Sequence, residues 1–87
     1  QFELEEAFHL VEVQVPPTWV GKSLAQLQPR TEFGVHVVAV IPGQEDDKSG
    51  DGRRAIQLPQ PHEPLGERDV LLLMGADDDL QRLPTGA

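Results

Sequence analysis

From His9 to Val15 the chain alternates, with Val11, Val13 and Val15 on one face and Leu10, Glu12 and Gln14 on the other. That is the period of a strand with one wet face, and Pro16-Pro17 ends it. From Trp19 to Pro42 the pattern reads as turn, short helix, turn and strand. Ser23 and Gln26 have the spacing of a capping box, in which the serine oxygen accepts the amide of the third helical residue and the glutamine reaches back to the serine amide. A helix therefore begins near Leu24, and Val20, Leu24 and Leu27 at i, i+4 and i+7 give it an apolar stripe. Pro29 disfavours helical geometry at Gln28, so the helix is short. Gly34 supplies a residue that takes positive φ without steric cost. After it, Val35 to Ile41 is apolar on both alternating faces apart from His36 and predicts a strand buried on both sides. Val38→Asp in such a strand is expected to bury an unpaired charge at a cost of several kcal/mol.

Beyond Pro42, Gly43 to Gly52 reads as a polar loop, and Arg53 to Leu58, with Ala55, Ile56 and Leu58, as a third strand. Pro59, Pro61 and Pro64 then impose extended or turn geometry. Asp69 to Gly75 is a continuous apolar run suited to a central strand, and Asp77-Asp78-Asp79 places negative side chains at the start of a closing helix with Leu80 and Leu83 as its apolar contacts. The order β-α-β-β-β-α gives an α+β fold, a small mixed sheet of about four strands with two short helices. Its first strand-helix-strand unit permits two parallel strands through a brief right-handed crossover. The domain is expected over residues 9–83, after an extension or linker at 1–8 and before a tail at 84–87.

Composition narrows the partners. Eighty-seven residues suit one domain whose core is small enough to benefit from a partner chain. Seven basic against fifteen acidic residues, a formal net charge of −8, oppose general binding to nucleic acid or anionic lipid. The absence of cysteine excludes disulfides and thiolate zinc sites and fits the cytoplasm. The apolar runs Val37 to Ile41 and Val70 to Met74 fall far below the roughly 18 residues needed to span a bilayer. A start at Gln1 reads as a piece of a longer protein.

Candidate chemistry is sparse. Asp47, Ser49, Asp51 and Gly52 imitate the opening of a calcium loop, but the twelfth position is Leu58 rather than a bidentate glutamate. Gly21-Lys22-Ser23 resembles the end of a phosphate-binding loop, yet Pro16 stands where its first glycine belongs. His9, His36 and His62 lack metal-binding spacing. Ser23 as a nucleophile would need a nearby base and an orienting acid, and its place in the capping box already explains it. No Gly-x-Gly-x-x-Gly occurs, so adenine dinucleotides of the Rossmann kind are not expected. These features point away from an enzyme, a metal site or a resident cofactor.

Val20 to Leu27, Arg30, Phe33 to Val40, then Glu67 to Gly75 and Leu80, taken together in order and spacing, resemble the TrkA-C domain. That domain is the C-terminal lobe of RCK-type regulators of bacterial potassium channels, potassium uptake systems and cation antiporters. The resemblance runs from about His9 to Leu83. It implies a homodimer working with a membrane-embedded cation channel or transporter, or with the rest of its own parent chain, at the inner face of the cell membrane.

Some members of the family bind cyclic di-AMP across the two-fold axis of the dimer, and the resemblance carries that site onto Arg30, His36, Pro29 and Gln28. Arg30 matches the arginine that meets phosphate, a role its guanidinium fork suits. Gln28 stands where those binders carry an acid, Pro29 where they make an apolar contact to the base, and His36 where they carry asparagine. Competing readings are an ion pair between Arg30 and Glu32, and a His36 satisfied by a neighbouring carbonyl. The favoured function is a ligand-sensing, dimerising module that regulates cation transport. The alternative is a structural dimerisation lobe with no small-molecule ligand.

Overall fold

The alternating amino-terminal segment forms strand β1, Phe8–Gln14. Pro16 and Pro17 turn the chain into a single 3₁₀ turn at Pro17–Trp19, closed by the Trp19 amide on the Pro16 carbonyl at 2.9 Å. Helices α1, Leu24–Leu27, and α2, Pro29–Phe33, follow, then strand β2, His36–Ile41, strand β3, Val70–Ala76, and helix α3, Asp77–Gln81. This is a computed structural model, and it describes residues 8–43 and 55–84.

The strands form one sheet in the order β1-β3-β2, antiparallel throughout. β1 and β2 thus run in the same direction with the last strand inserted between them. The apolar run of β3 explains its place, since Leu71 and Leu73 are 0 % exposed on the core side while Val70, Leu72 and Met74 are only half-buried on the other. Against the core side pack Val15, Trp19, Val35, Leu65 and Leu83, with Val11, Val13, Leu24, Leu27, Phe33, Val37, Val40 and Leu80 around them. Trp19 anchors this layer, its ring centroid 5.8 Å from that of Phe33 at a tilt of 44°. Such tilted aromatic pairs add to the burial of their own surface.

The proline-rich strap is held by backbone bonds. The Ala25 amide donates to the Pro61 carbonyl at 2.9 Å, Leu65 to Lys22 at 2.9 Å and Gly21 to Leu65 at 2.8 Å. Ala25 lies in the first turn of α1, whose amides have no partner within the helix, so the strap completes the cap begun by Ser23.

The α+β class is borne out, and its details differ from expectation in five places. The sheet is antiparallel rather than mixed. Among the described residues the expected third strand contributes one bridge, Gln57 to Val40, with Arg53 outside those residues. A proline two residues from the bridge, at Pro59, limits further pairing because it offers no amide. The second turn of the Trp19 to Pro42 stretch is the helix α2. Finally, β2 is an edge strand enclosed only in its second half, where Ala39 and Ile41 are buried. Its register against β3 slips between Val37 and Ala39, and the extra residue, Val38, is turned outward and 36 % exposed. Val20 is likewise exposed, so the apolar stripe of α1 reduces to Leu24 and Leu27.

Candidate functional site

The four residues implied by the resemblance lie on the α1–α2–β2 path, and local rules explain how each is placed. Ser23 caps α1 as its spacing predicts, its oxygen accepting the Gln26 amide at 3.3 Å and its amide donating to Gln26 Oε1 at 2.9 Å. α1 stops at Gln28, which adopts a left-handed conformation with φ 48° and ψ 59°. Among the described residues it is the only non-glycine with positive φ. Gln28 closes α1 through its amide to the Leu24 carbonyl at 2.9 Å and opens α2 through its carbonyl, which accepts the Glu32 amide at 2.8 Å.

Pro29 therefore starts a helix instead of merely ending one. At the first helical position an amide is not needed and the fixed φ of proline is already helical. Its ring is buried. Arg30 comes next, exposed, and its side chain carries no hydrogen bond or ion pair among the described residues. The pair with Glu32 is not formed, in keeping with residues two apart lying on different faces of a helix.

α2 ends at Gly34, which takes φ 72°, the positive value expected of it. The Gly34 amide donates to the Arg30 carbonyl at 3.0 Å and the Val35 amide to the Pro29 carbonyl at 3.4 Å. The backbone of Arg30 is thereby tied to the entrance of β2. His36 opens that strand opposite Met74, on the sheet face away from the core. It is exposed and its side chain has no hydrogen-bond partner among the described residues, rather than being satisfied by a carbonyl within a buried strand. The fold thus sets two exposed donors without partners among the described residues, Arg30 in α2 and His36 at the start of β2, joined through the Gly34 turn, with Gln28 exposed and Pro29 buried.

Sequence reading missed the edge position of β2. Gln57 and Val40 exchange both backbone bonds at 2.8 Å, whereas His36 to Val38 pair with no further strand on that edge among the described residues. A separate groove of about 800 Å³ lies at the far end of β1, lined among others by Val13, Val15, Val20, Leu80, Leu83 and Glu67. It contains none of the four residues, and among the described residues its one charged lining group is a carboxylate, so it does not suit a phosphate.

Among the described residues no cluster of three or more His, Cys, Asp or Glu side chains could hold a metal, and no helix is long and apolar enough to cross a membrane. The calcium-like residues Asp47, Ser49, Asp51 and Gly52 lie outside the described residues.

Residues 8–83 match the TrkA-C domain, and the chain belongs to that family. Its fold is similar to that of the RCK C domain of the potassium transport protein KtrA, solved in complex with cyclic diadenosine monophosphate. The two share 26% sequence identity at a TM-score of 0.69, over 86% of this chain and 78% of that one. It also resembles the GsuK RCK domain at 24% identity and a TM-score of 0.66, covering 87% of this chain but 15% of the longer one, a likeness of fold alone. No curated protein matches the chain.

Proposed function

We propose that this chain is a non-enzymatic regulatory lobe of a bacterial potassium or other cation transport system. It acts as a homodimer on the cytoplasmic side of the membrane and senses a small ligand of the cyclic di-AMP type. Membership of the TrkA-C family supports the regulatory role, and the similar KtrA domain, in complex with that nucleotide, supports the ligand class. The observation that carries the assignment to particular residues is that Arg30 in α2 and His36 at the start of β2 are both exposed and without a hydrogen-bond or ion-pair partner among the described residues.

A guanidinium with no internal partner loses no protein contact when it binds phosphate, and its fork geometry gives two parallel bonds to one phosphoryl group. His36 adds a donor from the start of β2. In a two-fold dimer each residue appears twice about the axis, which matches a ligand with two phosphates and two bases. Regulation then requires that the nucleotide favour one arrangement of the two lobes over another, since equal affinity for both shifts nothing. The unpaired stretch of the β2 edge is a surface through which a second copy could add to the sheet.

Calorimetric titration of cyclic di-AMP into the domain tests this reading. The expected result is one nucleotide per two chains, with binding lost in Arg30→Ala at an unchanged melting temperature. Absence of heat at high micromolar nucleotide, with a dimer still seen by light scattering, would leave the alternative of a structural dimerisation lobe.

A further inference from the structure

Two side chains of α3 reach the turn that joins Arg30 to His36. Arg82, at the C-terminal end of that helix, donates from Nη2 to the Phe33 carbonyl at 3.3 Å and forms an ion pair with Asp79. Phe33 is the last residue of α2, where carbonyls have no partner within the helix, and a cation there also meets the negative end of the helix. Asp79 itself lies against Gly34, so closely that a Cβ at that glycine would sit 2.9 Å from the Asp79 carboxylate. Gly34 in turn holds the Arg30 carbonyl through its amide. α3 is fixed to the core by Leu80 and Leu83.

We infer that Asp79 and Arg82 are positioning residues for the proposed nucleotide site, bracing the turn between Arg30 and His36 against α3. The inference rests on the reading of Arg30 and His36 as ligand contacts. Its consequence is that ligand occupancy and the seating of α3 are thermodynamically linked, each favouring the other by the same factor. A partner that moves α3 therefore changes nucleotide affinity without touching the nucleotide. The apolar residues of the turn, Phe33 and Val35, are held by the core, while the Phe33 carbonyl and Gly34 are met by Arg82 and Asp79.

The test compares Arg82→Met, Arg82→Lys and the parent chain by amide hydrogen exchange and by titration with cyclic di-AMP. In Arg82→Met the Gly34 and Val35 amides should exchange about three- to tenfold faster, the scale of one hydrogen bond and one exposed ion pair. Leu71 and Leu73 amides should be unchanged. Nucleotide affinity should weaken by a similar factor, and Arg82→Lys, which keeps a donor and a charge, should recover part of both effects. Unaltered exchange at Gly34 and Val35 would overturn the brace, and so would faster exchange with unaltered affinity in Arg82→Met. If the parent chain binds no nucleotide, the ligand reading of Arg30 fails by itself, while exchange at Gly34 still decides whether α3 restrains the turn.

Discussion

The Asp69 carboxylate and the Gly43 amide, 26 residues apart, are joined by a hydrogen bond of 3.1 Å, while the second carboxylate oxygen accepts the Gly66 amide at 2.8 Å. The Asp69 carbonyl also accepts the Val15 amide at 3.0 Å. One residue thus gathers the exit of β1, the exit of β2 and the turn into β3. Asp69→Ala leaves two part-buried amides without their acceptor, and it should lower the unfolding free energy by about 2–4 kcal/mol, near 1–3 for each orphaned group with partial rescue by water. Gly43→Ala acts on the same junction by crowding, because its Cβ would clash with the Arg68 carbonyl. Urea titration of both variants measures the loss, and a value near zero for Asp69→Ala would show that the junction holds without it.

Opposite outcomes are expected for two apolar positions in the sheet. Leu73 is fully enclosed at the centre of β3, and Leu73→Ala should cost about 2–5 kcal/mol through lost burial and the cavity left behind. Val38 is turned outward by the bulge, so Val38→Asp should cost about 1 kcal/mol or less, not the several that a doubly buried strand would imply. Thermal melts of the two variants side by side distinguish the edge placement of β2 from a central one.

Removal of the α1 cap has a defined size. Ser23→Ala abolishes the acceptor for Gln26 and should destabilise by about 1 kcal/mol. Because Ser23 is also buried and bridges to Pro64, amide hydrogen exchange on this variant should show looser attachment of the strap as faster exchange at Ala25 and Leu65.

Gln28 holds a conformation that costs a non-glycine residue about 1 kcal/mol or more. Gln28→Gly relieves that strain, offset in part by the greater freedom of glycine in the unfolded chain. A net gain of about 0.5 kcal/mol is expected in denaturant unfolding. A loss of stability in that variant would mean that the side chain of Gln28 contributes contacts outweighing its backbone geometry.

Features written in neighbouring residues were legible from sequence. The Ser23–Gln26 box, the positive φ of Gly34, the central position of the Val70 to Met74 run and the acidic start of α3 each depend on a few adjacent side chains. What escaped reading depends on partners distant in the chain. The bulge at Val38 is set by the register of β2 against β3, and the clamp at Asp69 by a glycine 26 residues earlier. α2 escapes for a different reason: Pro29 breaks the preceding helix, while the same ring is favourable at the first position of the next. For the candidate site, Arg30 and His36 were legible as residue types, but their exposure and lack of partners came only with the fold.

The position of β3 between two strands that precede it by at least 29 residues also bears on synthesis. A nascent chain that has exposed β1 and β2 outside the ribosome has nothing to zip them together. The valines of both segments stay wet until Val70 to Ala76 has cleared the exit tunnel. Collapse is therefore held back to the final stage of translation of the domain, and a ribosome stalled before Val70 should carry a protease-sensitive chain.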